Sequence, residues 1–191
     1  KGEKVHAKIV LEGLLQHILI GHGLVDMYAK CGAMTEAQEM FNKLAPQNVM
    51  SWNSLLSGYA QLGNDGSVFE CFNKMTTVVE PDFVTFLIVL YACSHSGLVS
   101  EAHRVFELMS LLFGLTPTTD HYACVVDILA RGGLLEEAVH EIRHMPIQPD
   151  AEVWMGLLGA CTNHCNAELD AYAFEHVMEF QFRSMIPLKN E

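Results

Sequence analysis

Apolar residues recur along the chain at spacings of three and four, and the stripes they form are themselves repeated. Five anchors order them: Gly32, Gly63, Gly97, Gly133 and Cys165, separated by 31, 34, 36 and 32 residues. Eight residues before the anchors stand Leu24, Leu55, Val89, Val125 and Leu157, and four before them Tyr28, Tyr59, Cys93, Leu129 and Cys161. Eleven before, the last four units carry Trp52, Phe86, Tyr122 and Trp154. Five residues after the first four anchors come Ala37, Val68, Ala102 and Ala138; nine after, Phe41, Phe72, Phe106 and Ile142; twelve after, Leu44, Met75, Met109 and Met145. Each set is the stripe of an amphipathic helix. Every unit therefore predicts a helix A, a turn at the anchor, and a helix B. Glycine supplies the left-handed conformation that ends helix A; in the last unit Cys165 takes its slot. Helix B closes near Pro46, Pro81, Pro117 and Pro149, and Asn48, Asp82, Thr118 and Asp150 are placed to open the next helix.

A two-helix unit cannot bury its apolar stripe alone, so neighbours must stack, and the pattern predicts an all-α solenoid of helix-turn-helix repeats. A globular helical bundle has no reason to keep these offsets. The β-rich segment Val84-Thr-Phe-Leu-Ile-Val-Leu is expected to be helical as well, because its equivalent Trp52-Asn-Ser-Leu-Leu-Ser-Gly has no strand character.

Composition narrows the function. The net charge of −12 excludes a binder that works mainly by bulk positive charge. The charge is uneven: residues 1–75 carry 6 basic and 7 acidic side chains, residues 76–191 carry 5 and 16. Any polyanion contact therefore belongs to the first part. No apolar run approaches the roughly 18 residues of a membrane helix. Lys1-Gly-Glu-Lys opens as though inside a helix, so the chain reads as part of a longer protein and a targeting segment would lie outside it. Six widely spaced cysteines in apolar helical text read as small buried hydrophobes in a reducing compartment rather than a disulfide framework.

The period is near that of a tetratricopeptide array, but the words differ. Leu24-Val-Asp-Met-Tyr-Ala-Lys-Cys-Gly32, Val49-Met-Ser-Trp-Asn-Ser-Leu-Leu-Ser-Gly-Tyr-Ala-Gln-Leu-Gly63, Glu80-Pro-Asp-Phe-Val-Thr-Phe86, Ala92-Cys-Ser-His-Ser-Gly-Leu-Val99 and Pro149-Asp-Ala-Glu-Val-Trp154 resemble pentatricopeptide repeats. The unequal units resemble the land-plant PLS subclass. On that resemblance residues 1–17 are the tail of a long unit, 18–48 a short unit, 49–82 a standard unit, 83–118 a long unit and 119–150 the closing short unit. Residues 151–184 resemble the first C-terminal extension motif, through Val153-Trp and Leu158-Gly-Ala-Cys161, and 185–191 form a divergent or truncated tail. The resemblance also implies that the solenoid is right-handed. The His-x-Glu and Cys-x-x-Cys words of the deaminase domain that ends some relatives are absent, so no zinc deaminase chemistry is expected of this chain.

The family reads single-stranded RNA at one base per repeat. The resemblance places one reading side chain ten residues before each anchor and the other at the end of the unit. The pairs are then His22 with Asn48, Asn53 with Asp82, Leu87 with Thr118, and Ala123 with Asp150. Asn53/Asp82 matches a family reading pair, assigned to uracil. An amide offers a base edge both donor and acceptor, and a carboxylate can hold that amide. The competing reading makes Asp82 a plain N-cap and Asn53 a solvated polar residue. Leu87 and Ala123 offer a base no hydrogen bond, and His22 departs from the usual Asn, Ser or Thr. The family clamps bases between apolar side chains three residues before the readers; those slots hold Leu19, Met50 and Val84, then Asp120 and Glu152. Carboxylates repel phosphate, so reading is expected before about residue 90. The plainer view of those two is that they solvate outer helix faces.

His140-Glu-Ile-Arg-His144 satisfies the H-E-x-x-H pattern of zinc peptidases, which would put both His on one helix face with Glu141 as base. Against it, Ile142 and Met145 fall on core slots, and a third ligand would have to come from elsewhere, such as Glu168. Cys161, His164 and Cys165 form another possible metal cluster, but Cys161 occupies a core slot and Cys165 replaces the turn glycine, so packing is the favoured reading there. The expectation is a binding protein without catalytic residues, metal or cofactor. Its partners would be single-stranded organellar RNA and, through the acidic C-terminal part, deaminase-bearing or other editing-complex proteins. The resemblance implies C-to-U RNA editing in mitochondrion or chloroplast, with no membrane association. The alternatives are a helical array used only for protein interaction and, more remotely, the zinc metallopeptidase of His140, Glu141 and His144.

Overall fold

The computed structural model of the chain describes residues 18–185, together with Lys4, His6 and Ala7. The rest of the segment assigned as an N-terminal tail over 1–17, and residues 186–191, lie outside the described residues. Ten helices follow in order among those described: α1 (Ile18–Lys30), α2 (Met34–Lys43), α3 (Val49–Gln61), α4 (Asp65–Met75), α5 (Phe83–Ser96), α6 (Val99–Leu111), α7 (Thr119–Arg131), α8 (Leu135–His144), α9 (Ala151–Asn163) and α10 (Ala167–Met185). No strand occurs among the described residues, and Val84–Leu90 is helical despite its composition.

The turns explain the pairing of helices. Gly32, Gly63, Gly97 and Gly133 have φ of 73°, 64°, 65° and 78°, and Cys165 adopts 56° in the same slot. At each turn the residue after the anchor donates its N–H to the carbonyl five residues back: Ala33 to Tyr28, Asn64 to Tyr59, Leu98 to Cys93, Leu134 to Leu129 and Asn166 to Cys161, at 2.9–3.0 Å. This is the Schellman arrangement, which satisfies carbonyls left orphaned at a helix end and reverses the chain.

The chain divides into two compact units, Lys1–Ala92 and Cys93–Glu191. In the first, α1 packs on both α2 and α3, and α3 on α4. Its core holds Leu24, Phe41, Leu55, Val68, Phe72, Met75, Phe86 and Val89, each 3% exposed or less. In the second, α7 packs on α6, α8 and α9, and α9 on α10; Ala102, Met109, Val125, Leu129, Ala138, Ile142 and Leu157 are similarly buried. Ring contacts join one repeat to the next. Phe41 meets Trp52 edge-on at 4.6 Å, Phe72 meets Phe86 at 5.6 Å and Phe106 meets Tyr122 at 5.0 Å. Each pair links the ninth residue after one anchor to the eleventh before the next. Edge-to-face geometry suits the ring quadrupoles and adds to the area buried.

Four expected core positions are only half-buried: Leu44, Tyr59, Phe106 and Met145. Leu44 and Met145 sit just past a helix end, in extended backbone. Tyr59 turns its hydroxyl outward to donate to Gln38 Oε1 at 3.2 Å.

A side chain in the left-handed well costs about 1 kcal/mol relative to glycine. Cys165 is exposed, so its thiol offers no compensating burial. Cys165→Gly should therefore stabilise the protein by about 1 kcal/mol, and Gly97→Ala, whose added methyl would meet nothing within 4 Å, should destabilise it by a similar amount. Urea unfolding midpoints of the two variants check both.

Candidate nucleic-acid interface

The first turns of the A helices carry the candidate readers. In α3, Met50 is 69% exposed, while Asn53, one turn on, is 9% exposed. Asp82 precedes α5 and accepts the backbone N–H of Thr85 at 2.9 Å, the bond of a helix N-cap. The same carboxylate oxygen accepts from Asn53 Nδ2 at 3.0 Å. Thr85 Oγ1 lies 2.7 Å from Asn53 Oδ1 and 2.9 Å from Asp82 Oδ1, and accepts the Asp82 N–H at 3.1 Å. Asp82 thus caps α5 and also holds the Asn53 amide. Asn53 is accordingly not a freely solvated side chain. Among the described residues one of its two donors and one of its two acceptor sites are engaged.

Burial pushes the Asp82 carboxyl up, but four hydrogen bonds outweigh it. They come from the Thr85 backbone, the Asn53 and Thr85 side chains and the Val84 backbone, and they hold the pKa below its ordinary value of 3.8. The group stays ionised at neutral pH and orients the amide with its nitrogen toward Asp82.

The other pairs behave differently. His22 is 8% exposed, and neither ring nitrogen has a hydrogen-bond partner among the described residues. Asn48 instead accepts from Ser51 N–H at 3.0 Å, closing a capping box at the start of α3. Thr118 caps α7 with His121. Asp150 caps α9 by accepting from the N–H groups of Glu152 and Val153. Leu87 and Ala123 are half-buried. The structure therefore joins Asn53 to Asp82 and leaves His22 unjoined to Asn48. At the slot three residues before the readers, Leu19, Met50 and Val84 are 82%, 69% and 52% exposed, and Asp120 and Glu152 are exposed carboxylates. The sequence reading overlooked Thr85. The one signal for it is a hydroxyl residue three positions after an Asp cap, which reads as capping alone.

The histidines of the H-E-x-x-H word are exposed and stack on each other at 4.0 Å, and His144 Nδ1 pairs with the His140 carbonyl at 2.8 Å. Among the described residues no three His, Cys, Asp or Glu side chains converge as a metal site. The three placed ligands that a catalytic zinc requires are thus not assembled there. No helix among them is long and apolar enough to cross a membrane.

The repeat pattern has close counterparts. A model described as PPR repeat matches residues 23–45, 50–77 and 84–111. A chloroplastic pentatricopeptide repeat-containing protein of Arabidopsis thaliana is 42% identical over 180 residues, 94% of this chain and 21% of that protein. A mitochondrial one from the same plant is 41% identical over 179 residues, 93% and 23%. The chain belongs to the pentatricopeptide repeat family. It spans between a fifth and a quarter of the length of these pentatricopeptide relatives. Solved pentatricopeptide proteins share its fold: maize PPR10 superposes with a TM-score of 0.72 at 22% identity, covering 91% of this chain and 28% of that one. PPR10 in complex with an 18-nt RNA element gives 0.67 over 96% and 30%. The pentatricopeptide domain of Arabidopsis thaliana protein-only RNase P 1, in complex with tRNA, gives 0.65 at 19% identity over 81% and 86%.

Because the Asp82 pKa is depressed in the folded state, the stability it contributes is present in full above 3.8 and is lost as pH falls through the lower folded value. Asp82→Asn keeps a capping side chain but removes the charge. The stability gap between wild type and variant should be widest near neutral pH and shrink as the solution is taken below pH 3.8. Urea unfolding across that range reads it.

Proposed function

We propose that this chain binds single-stranded RNA with a base preference and acts in an organelle as the site-recognition part of C-to-U RNA editing. The observation that carries the reading is the Asn53–Asp82 pair at 3.0 Å, with exposed Met50 and Val84 three residues before Asn53 and Leu87. A held amide with one donor and one acceptor to spare is suited to a base edge, and exposed apolar side chains are suited to base faces. Two of the superposed structures were solved with RNA, and relatives carry chloroplastic and mitochondrial names. Units of the PLS kind and an extension motif over 151–184 belong to this proposal. So do base preference for uracil at Asn53/Asp82, weaker or undefined reading at His22/Asn48, and clamping by Leu19, Met50 and Val84. The acidic part, 16 acidic against 5 basic residues over 76–191, would bring in a deaminase or other editing protein in trans, the chain itself supplying no catalytic group.

The same charge imbalance favours a second reading, an array that binds proteins only. Fluorescence anisotropy with short single-stranded RNAs, varied at one position among U, C, A and G at fixed salt, separates the two. Wild type should prefer U at that position, and Asn53→Ala should abolish the preference. Met50→Asp should weaken binding to all four RNAs by about tenfold, through lost base contact and added repulsion. A folded, helical sample that binds none of them refutes the RNA reading in favour of the protein-binding array.

A further inference from the structure

Thr85 is fully buried, and its hydroxyl stands between the two members of the reading pair. A hydroxyl has one hydrogen. Two acceptors are in reach, Asn53 Oδ1 at 2.7 Å and Asp82 Oδ1 at 2.9 Å. Asp82 Oδ1 already accepts from the Thr85 N–H and from Asn53 Nδ2, whereas among the described residues no other donor reaches Asn53 Oδ1. The hydrogen is therefore best placed on the amide oxygen. A buried acceptor left without a donor costs on the order of 1–3 kcal/mol.

The other repeats show that capping alone does not require this. Ser51 occupies the same position in α3 and turns its hydroxyl to its own helix end, donating to the Asn48 carbonyl at 2.9 Å. Val153 occupies it in α9 with no hydroxyl at all, and Asp150 still caps that helix through two backbone N–H groups. Thr85 alone among these reaches back across 32 residues to a reader.

We infer that Thr85 is a positioning residue for base recognition: its hydroxyl fixes the Asn53 amide, so that one N–H and one oxygen lone pair face the ligand in a set order. Asp82 grips the nitrogen end and Thr85 the oxygen end. With both engaged, the amide plane is held at two points; with one, it swings about the remaining bond. This rests on the base-reading role proposed for Asn53, and it extends the specificity determinants to a residue in the next repeat that touches no base.

Thr85→Val keeps the side-chain shape and copies the arrangement found at Val153, so α5 should still be capped. Thr85→Ser restores the hydroxyl. Both are measured in the whole chain against the four single-position RNAs, alongside thermal unfolding. The expected result is that Thr85→Val lowers affinity for the preferred base by about fivefold, the worth of one hydrogen bond, while affinity for the other three is unchanged. Thr85→Ser should restore the preference. A general loss of structure would weaken all four RNAs equally. Equal weakening, or a preference untouched in Thr85→Val, overturns the positioning role and leaves the reading by Asn53 standing. A wild-type chain with no preference at that nucleotide overturns the reading itself, and the role of Thr85 with it.

Discussion

A helical hairpin of about thirty residues has two faces to bury and only one partner within itself. Everything else in this protein follows from that shortage. The residue nine places after each anchor and the one eleven places before the next are aromatic in three successive junctions, and each pair closes edge-on at 4.6–5.6 Å. These rings do what a single repeat cannot: they remove the B helix of one unit and the A helix of the next from water together. The junction also fixes where the next A helix begins. Trp52 and Phe86 lie in the first turn of their helices, so the residue that caps each helix is placed by the same contact that builds the core.

That placement brings the last residue of a unit, which caps the next A helix, beside the side chain proposed as the reader of the same unit. Asp82 and Asn53 are 29 residues apart in sequence and 3.0 Å apart in space. The carboxylate is needed at the helix start for its own reason, to satisfy backbone N–H groups and to meet the positive end of the helix dipole. Holding the amide uses an oxygen that capping has already brought into position. One carboxylate thus serves the helix cap and the amide together, with no change to the fold.

The periodic slots made most of the architecture legible. The turns were readable because a glycine recurs at one offset, and even Cys165, with its φ of 56°, was visible as the odd member of the set. The helical state of Val84–Leu90 was readable only by comparison with Trp52–Gly58, since local β-propensity pointed the other way. The pairing of Asn53 with Asp82 came from family resemblance; spacing alone would have left two good capping residues. The hydrogen bond from Thr85 to Asn53 was out of reach, because a threonine three residues after a cap reads as a capping-box partner, and this contact depends on a distance between helices. Nor could sequence show that His22 is buried with both nitrogens unpartnered among the described residues, since helix periodicity places a residue on a face and says nothing of what meets its polar atoms.

The outward slots vary while the inward ones do not. Three residues before the successive candidate reading slots the side chain runs Leu, Met, Val, then Asp and Glu. Single exposed apolar residues are ordinary on a protein surface, but Leu19, Met50 and Val84 stand at one slot in consecutive repeats and are each more than half exposed. Folding gains little from them there. Over the same stretch the buried slots keep their apolar character through the acidic repeats as well, with Val125, Leu129 and Leu157 each 2% exposed or less. Core and surface are therefore under separate physical constraints. The core must match at every junction or the stack fails, whereas the slot facing solvent is free to carry an apolar platform in one repeat and a repelling charge in another. On the proposed RNA-binding reading, the length over which the array contacts a polyanion is set by which side chains occupy that slot, and not by how many repeats are folded.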